Sequence, residues 1–100
     1  MTKETRMMRE ILATLQMYQV LSVNKADIRV DMRNTDGKIS AVEAYVTPLD
    51  ETGNIKSREL PDGGYTYGSE DFTFYSFWDA KQNREVMNKL RKFLKSLHVL

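Results

Sequence analysis

Chemistry at a protein site needs a nucleophile, a base or a metal ligand held at a fixed position, and this chain offers few such groups. Its one histidine, His98, sits near the end of the sequence, where side chains are loosely held, and reads as a helix cap or an exposed residue. No cysteine is present, which excludes disulfides, thiolate nucleophiles and thiolate metal sites. Zinc would have to rest on carboxylates, which is not its usual ligand set. Two acid pairs, Asp50-Glu51 and Glu70-Asp71, invite an acid–base reading. Sequence neighbours diverge on a strand or turn, however, and both pairs lie beside turn residues, where acids are common. Gly63-Gly64 and Gly68 precede neither the lysine nor the helix start that a phosphate loop needs. These residues predict no catalytic, cofactor-binding or metal site, and no enzyme.

The aromatic residues are more informative. Seven of the ten fall between Tyr65 and Trp78: Tyr65, Tyr67, Phe72, Phe74, Tyr75, Phe77 and Trp78. A strand sends successive side chains to opposite faces. Phe72 and Phe74 therefore point one way, and Tyr75 and Phe77 the other. One set can enter a core, while the other must meet a second layer, a partner or water. Apolar surface of that kind marks contact sites.

Charge is distributed unevenly. The chain is near neutral overall, at +1, yet residues 1–25 carry +2, residues 26–78 carry −5 and residues 79–100 carry +4. Basic ends around an acidic middle let one molecule attract another of its own kind. Lys81, Arg84, Arg91 and Lys95 in the last segment are candidates for phosphate contacts, with sheet aromatics stacking on bases. At 100 residues, 41% hydrophobic and 29% charged, the chain reads as one soluble domain over 1–100. Its longest apolar-rich stretch, Met7 to Val23, contains Arg9, Glu10, Gln16 and Gln19 and is too polar to span a bilayer. The absence of cysteine fits a reducing compartment, so a cytoplasmic location is expected.

The elements that carry these residues follow from periodicity. Thr2 is an N-cap for a helix over Lys3 to Leu21, whose apolar stripe is Met8, Ile11, Leu12, Leu15 and Tyr18. Next comes an alternating strand, with Ala26, Ile28, Val30 and Met32 on one face and Asp27, Arg29, Asp31 and Arg33 on the other. A turn at Asn34 to Gly37 returns the chain through Lys38 to Thr47. With Gly37 left-handed in a three-residue loop, Asn34 pairs with Lys38, Val30 with Val42, Ile28 with Ala44, Ala26 with Val46 and Arg29 with Glu43. Asp50 to Gly53 repeats the turn pattern and predicts a second hairpin, Leu49 opposite Ile55 and Thr47 opposite Ser57. Its third strand, Ile55 to Leu60, is charged like an edge. Pro61 to Gly64 is a further turn, and the aromatic segment is either two short strands or one bulged strand. Asp79 and Gln82 form a capping box for a last helix with an apolar stripe of Val86, Met87, Leu90, Phe93, Leu94 and Leu97.

The predicted fold is α+β: a helix, an antiparallel meander of four to five strands, and a helix, both helices on one sheet face. That order resembles double-stranded-RNA-binding domains and frataxin-like domains in topology. The former carry a lysine-rich motif at the start of the last helix, where this chain has Asp79-Ala80-Lys81-Gln82-Asn83-Arg84. The latter have an acidic first helix, where this chain has Glu4 and Glu10 against Lys3, Arg6 and Arg9. Topology does not confer function, and no residues carry over. The expectation is a non-catalytic interaction module, homodimeric or bound to another protein. Its contact surface would be the open sheet face, using Arg29, Arg33, Glu43, Tyr45, Tyr65, Tyr67, Tyr75 and Phe77, or else the charged third strand. Open with them would be Asp27, Asp31, Ile39 and Thr47. The alternative is a nucleic-acid-binding accessory protein.

Overall fold

A computed structural model describes residues 2–55 and 57–100. The elements run α1 (Lys3–Leu21), β1 (Ala26–Thr35), β2 (Lys38–Pro48), β3 (Arg58–Glu59), β4 (Tyr65–Thr66), β5 (Glu70–Tyr75) and α2 (Ala80–Ser96). The fold is α+β, with both helices contributing to one core against one face of an antiparallel sheet.

Both helices begin where local chemistry dictates. The Thr2 side chain accepts the Thr5 N–H at 3.1 Å. Asp79 accepts the Gln82 N–H at 2.8 Å while the Gln82 side chain accepts the Asp79 N–H at 3.1 Å, completing the capping box. At the far end of α2, His98 adopts φ 62° and Val99 N–H returns to the Leu94 carbonyl at 2.9 Å. This left-handed stop folds Val99 back into the core. His98 is exposed, and its carbonyl accepts the Lys25 ammonium at 2.7 Å.

The stripes bury as their spacing requires. Met8, Ile11, Leu15 and Tyr18 of α1 and Leu90 and Leu94 of α2 meet Ile28, Val42, Ala44, Val46, Phe72 and Phe74 of the sheet. Phe72 and Phe74 are thus the core set of the aromatic segment. Phe74 is fully buried, and removing a side chain of that size from water contributes about 2–3 kcal/mol.

The sheet departs from a continuous meander. Its strand order is β1-β2-β5, and β3 and β4 form a separate two-stranded sheet. The bridge Leu49–Ile55 forms as expected. Thr47, however, lies opposite Asp27, and its hydroxyl is 2.9 Å from that of Ser69 rather than beside Ser57. The third strand expected over Ile55 to Leu60 shortens to β3 and is not an edge of the main sheet; Lys56 lies outside the described residues. The physical reason is competition for the second edge of β2. The exposed Arg58–Glu59 pair offers it no apolar face, whereas β5 brings Phe72 opposite Ala44 and Phe74 opposite Val42.

The first hairpin also corrects the expected register. Asp36 and Gly37 both have positive φ, at 52° and 76°, which makes a two-residue turn. A bulge at Ser40 follows, where the register shifts between Arg33 and Asn34. Val30 consequently faces Ala44, Ile28 faces Val46 and Ala26 faces Pro48, two places from the three-residue-loop alignment. A shift of two leaves every β1 side chain on its expected face. It does change the charge pairing: Arg29 lies opposite Tyr45, and Asp31 opposite Glu43. The bulge also turns Ile39 toward the core, so Ile39 does not belong to the open face.

Candidate interaction surface

The face opposite the helices presents Asp27, Arg29, Asp31 and Arg33 from β1. From β2 come Ala41, Glu43, Tyr45 and Thr47, and from β5 Asp71, Thr73 and Tyr75. Three of the expected contact residues form its centre. The Arg29 guanidinium lies over the Tyr45 ring at 5.2 Å and also reaches Asp31 at 3.3 Å. A cation against a ring face contributes about 0.5–1 kcal/mol at an exposed site, so this stack holds the Arg29 stem flat along the sheet.

Glu43 sits on the central strand, directly between Asp31 on β1 and Thr73 on β5, with Asp71 diagonal to it. Its carboxyl is pushed above the ordinary 4.5, first by partial burial, then by Asp71 and Asp31, against a smaller lowering effect of Arg29. Among the described residues no group of acids or histidines is arranged to hold a metal ion. Arg33 borders a shallow depression with Asp31, Ala41, Glu43, Thr73 and Tyr75.

The remaining expected contact residues divide between two ends of the sheet and a separate element. Tyr67 and Ile55 border a second depression with Arg29, Tyr45, Thr47 and Ser69, so the β3–β4 excursion forms a wall at the Asp27 end. Tyr65 lies on β4 in the small sheet, 71% exposed. At the other end Tyr75 and Phe77 stack with centroids 4.9 Å apart, and Trp78 meets the Tyr75 ring edge-on at 4.7 Å. Phe77 remains 77% exposed.

Two residues of this surface escape the sequence reading. Trp78 belongs to the aromatic segment, but nothing in its spacing places it against Tyr75. Asn83 occupies a core-facing position of α2 and is 3% exposed. Its Oδ1 accepts the Tyr75 N–H at 3.3 Å and its Nδ2 donates to the Tyr75 carbonyl at 3.0 Å. Asn83 thereby clamps the end of β5 and fixes where the Tyr75–Phe77–Trp78 cluster leaves the sheet.

Lys81, Arg84, Arg91 and Lys95 are exposed on α2. Because α2 packs on the core side of the sheet, Tyr45 and Tyr67 belong to the opposite layer. Among the described residues no helix is long and apolar enough to cross a membrane. Comparison with family models, with curated proteins and with solved structures finds no match for this chain.

Proposed function

We propose that this chain is a small non-catalytic interaction module that self-associates, using the open sheet face and its charged border as the contact surface. The observation that supports the reading is the face itself: both helices are spent on one side of a three-stranded sheet, and the other side carries an ordered charged and aromatic surface. Held side chains lose less freedom on binding than mobile ones. Arg29 stacked on Tyr45 and Tyr75 locked between Phe77 and Trp78 meet that condition. The nucleic-acid alternative needs bases on the sheet aromatics and phosphates on Lys81, Arg84, Arg91 and Lys95 at once. Their separation into opposite layers favours a protein partner.

The test is mass in solution. Light scattering on a sizing column, over loadings from about 1 μM to about 1 mM, covers contacts worth about 4–8 kcal/mol. A mass that climbs from one chain toward two supports the reading. One chain's mass at every loading refutes it.

A further inference from the structure

The two edges of the main sheet are not equivalent. Leu49 N–H donates to the Lys25 carbonyl at 3.2 Å, one step outside β1 and β2 but in the same register. Hydrogen-bonded and non-bonded pairs alternate along an antiparallel ladder. Asp27, Arg29, Asp31 and Arg33 therefore turn their backbone groups toward β2, while Ile28, Val30 and Met32 turn theirs outward. The same count from Ser76 N–H to the Ser40 carbonyl, at 3.0 Å, turns Asp71, Thr73 and Tyr75 outward from β5. On β5, Asn83 occupies both outward groups of Tyr75, while among the described residues nothing pairs with those of Asp71 and Thr73; the charges of β5, Glu70 and Asp71, are of one sign. On β1, the Gln19 amide occupies the Ile28 carbonyl at 2.9 Å, and among the described residues nothing pairs with the amide groups of Val30 and Met32. Met32 is also 48% exposed beside them.

We propose that β1 is the self-association edge: two copies join antiparallel through β1, with Val30 on the two-fold axis. This rests on the self-association reading above and narrows its contact to the charged β1 border of the open face, leaving Tyr75, Phe77 and Trp78 at the far edge outside it. The charge pattern selects the alignment. Opposed residues must share a sheet face, so the axis passes through a residue of β1. With Val30 on the axis, Asp27 opposes Arg33 of the second copy and Arg29 opposes its Asp31, and both contacts occur twice. On the helix side Val30 meets Val30 and Ile28 meets Met32. Moving the axis to Arg29 sets arginine against arginine and Asp27 against Asp31. Moving it to Asp31 sets aspartate against aspartate and Arg29 against Arg33. Opposite charges across a ladder attract and like charges repel, so both neighbouring alignments are excluded. Centring on Met32 keeps only the Asp31–Arg33 contacts. Centring on Ile28 keeps Asp27–Arg29 but sets Met32 against Asn24 and Asp31 against Lys25, both outside the strand, with the Lys25 ammonium already on the His98 carbonyl. In the Val30 alignment the outward groups of Ile28, Val30 and Met32 supply about six hydrogen bonds between copies. The Ile28 carbonyl exchanges Gln19 for Met32 of the second copy. An edge bearing charges of one sign would repel a second copy; this edge alternates in sign and is complementary to itself.

The experiment is a charge exchange read by light scattering. Arg29 and Asp31 are exposed, so R29D and D31R are expected to fold, which circular dichroism checks. R29D sets its introduced aspartate against Asp31 of the second copy, twice, and D31R sets its introduced arginine against Arg29 of the second copy, twice. Each weakens the dimer by about tenfold to a hundredfold and is a monomer where the unaltered chain is a dimer. An equimolar mixture of the two variants restores the dimer, because each then meets its complement. The double variant R29D/D31R restores it alone. Loss of the Arg29–Asp31 contact within one chain cannot produce recovery on mixing. A dimer that survives R29D overturns the Val30-centred edge but leaves self-association standing, with the Met32 alignment indicated if D31R alone breaks it. A monomeric unaltered chain at every loading overturns both.

Discussion

Replacing Asn83 with alanine tests how the aromatic end of the surface is positioned. The side chain is almost fully buried and satisfies both backbone groups of Tyr75 that face away from β2. Alanine leaves that N–H and that carbonyl without a partner on the α2 side. A buried polar group left unsatisfied costs about 1–3 kcal/mol. Tyr75 is only half-buried, so water reaches part of the gap, and about 2–3 kcal/mol in total is expected rather than the full sum. In a domain of this length that lowers the melting midpoint by about 10–20 °C. Urea unfolding followed by circular dichroism measures the loss, and tryptophan fluorescence reports the cluster separately. Trp78 packs on Tyr75, and its emission should shift to the red in the folded variant as the end of β5 loosens. Asn83→Asp is the companion variant. It keeps the acceptor for the Tyr75 N–H but replaces the donor with a second oxygen facing a carbonyl, so it should be at least as destabilised near neutral pH. A loss below about 0.5 kcal/mol for N83A, within the range of an ordinary surface change, would refute the clamp.

Two further changes probe other links of the same chain. Glu43→Gln removes a like charge opposite Asp31 and diagonal to Asp71, and should stabilise the protein by about 0.5 kcal/mol near neutral pH. Because the Glu43 carboxyl is raised in the folded state, folding takes up a proton there; the native carboxylate's stability falls as pH rises through the window above 4.5, and the advantage of the glutamine should vanish below it. Melting curves of both proteins from acid to neutral pH check this, and a constant difference across the range would count against it. Gly37→Ala should destabilise by about 1 kcal/mol through backbone strain alone, since φ is +76° and an added Cβ meets no atom within 4 Å. Gly37→Asn should cost less, because asparagine tolerates that conformation; equal losses would point to a cause other than backbone strain.

The helices and the faces were legible because their signals are local. Thr2, Asp79 and Gln82 act on the adjacent turn, and the stripes of α1 and α2 repeat with the helix itself. The register of β1 on β2 was not legible from the same alternation, because a pattern of period two is unchanged by a shift of two. The turn decides it, and the turn depends on Asp36 joining Gly37 at positive φ, which an aspartate signals only weakly. Placing Ile39 on the open face failed for a related reason, since one extra residue at Ser40 inverts everything between it and the turn. The pairing of β2 with β5 joins Val42 to Phe74 across a long stretch of chain, beyond the reach of local turn signals. In the sequence Asn83 is one more polar residue in the first turn of α2, ahead of the apolar stripe that begins at Val86. Its role exists only once α2 lies beside Tyr75.

The contrast between the two sheet edges connects the surface to its proposed use. An edge strand is a row of unpaired donors and acceptors, and a protein that stays alone must blunt it. At β5 one end is blunted from within the core, where Asn83 takes both outward groups of Tyr75, and the acids Glu70 and Asp71 give the rest of that edge charge of one sign. At β1 the only side-chain cover among the described residues is Gln19, which is partly buried and holds one carbonyl. Gln19 is only partly buried where Asn83 is almost fully buried, so its amide has solvent within reach when a second copy takes the carbonyl. On the proposed pairing, the strands of both copies form one sheet and all helices stay on one side. The two open faces then lie next to each other, with the Arg29–Tyr45 stacks flanking the shared edge. Gln19→Leu would separate blunting from support. If Gln19 mainly competes with the second copy for the Ile28 carbonyl, the variant dimerises more tightly than the unaltered chain. If the same light-scattering titration shows weaker dimerisation, Gln19 is part of the joined edge rather than its guard.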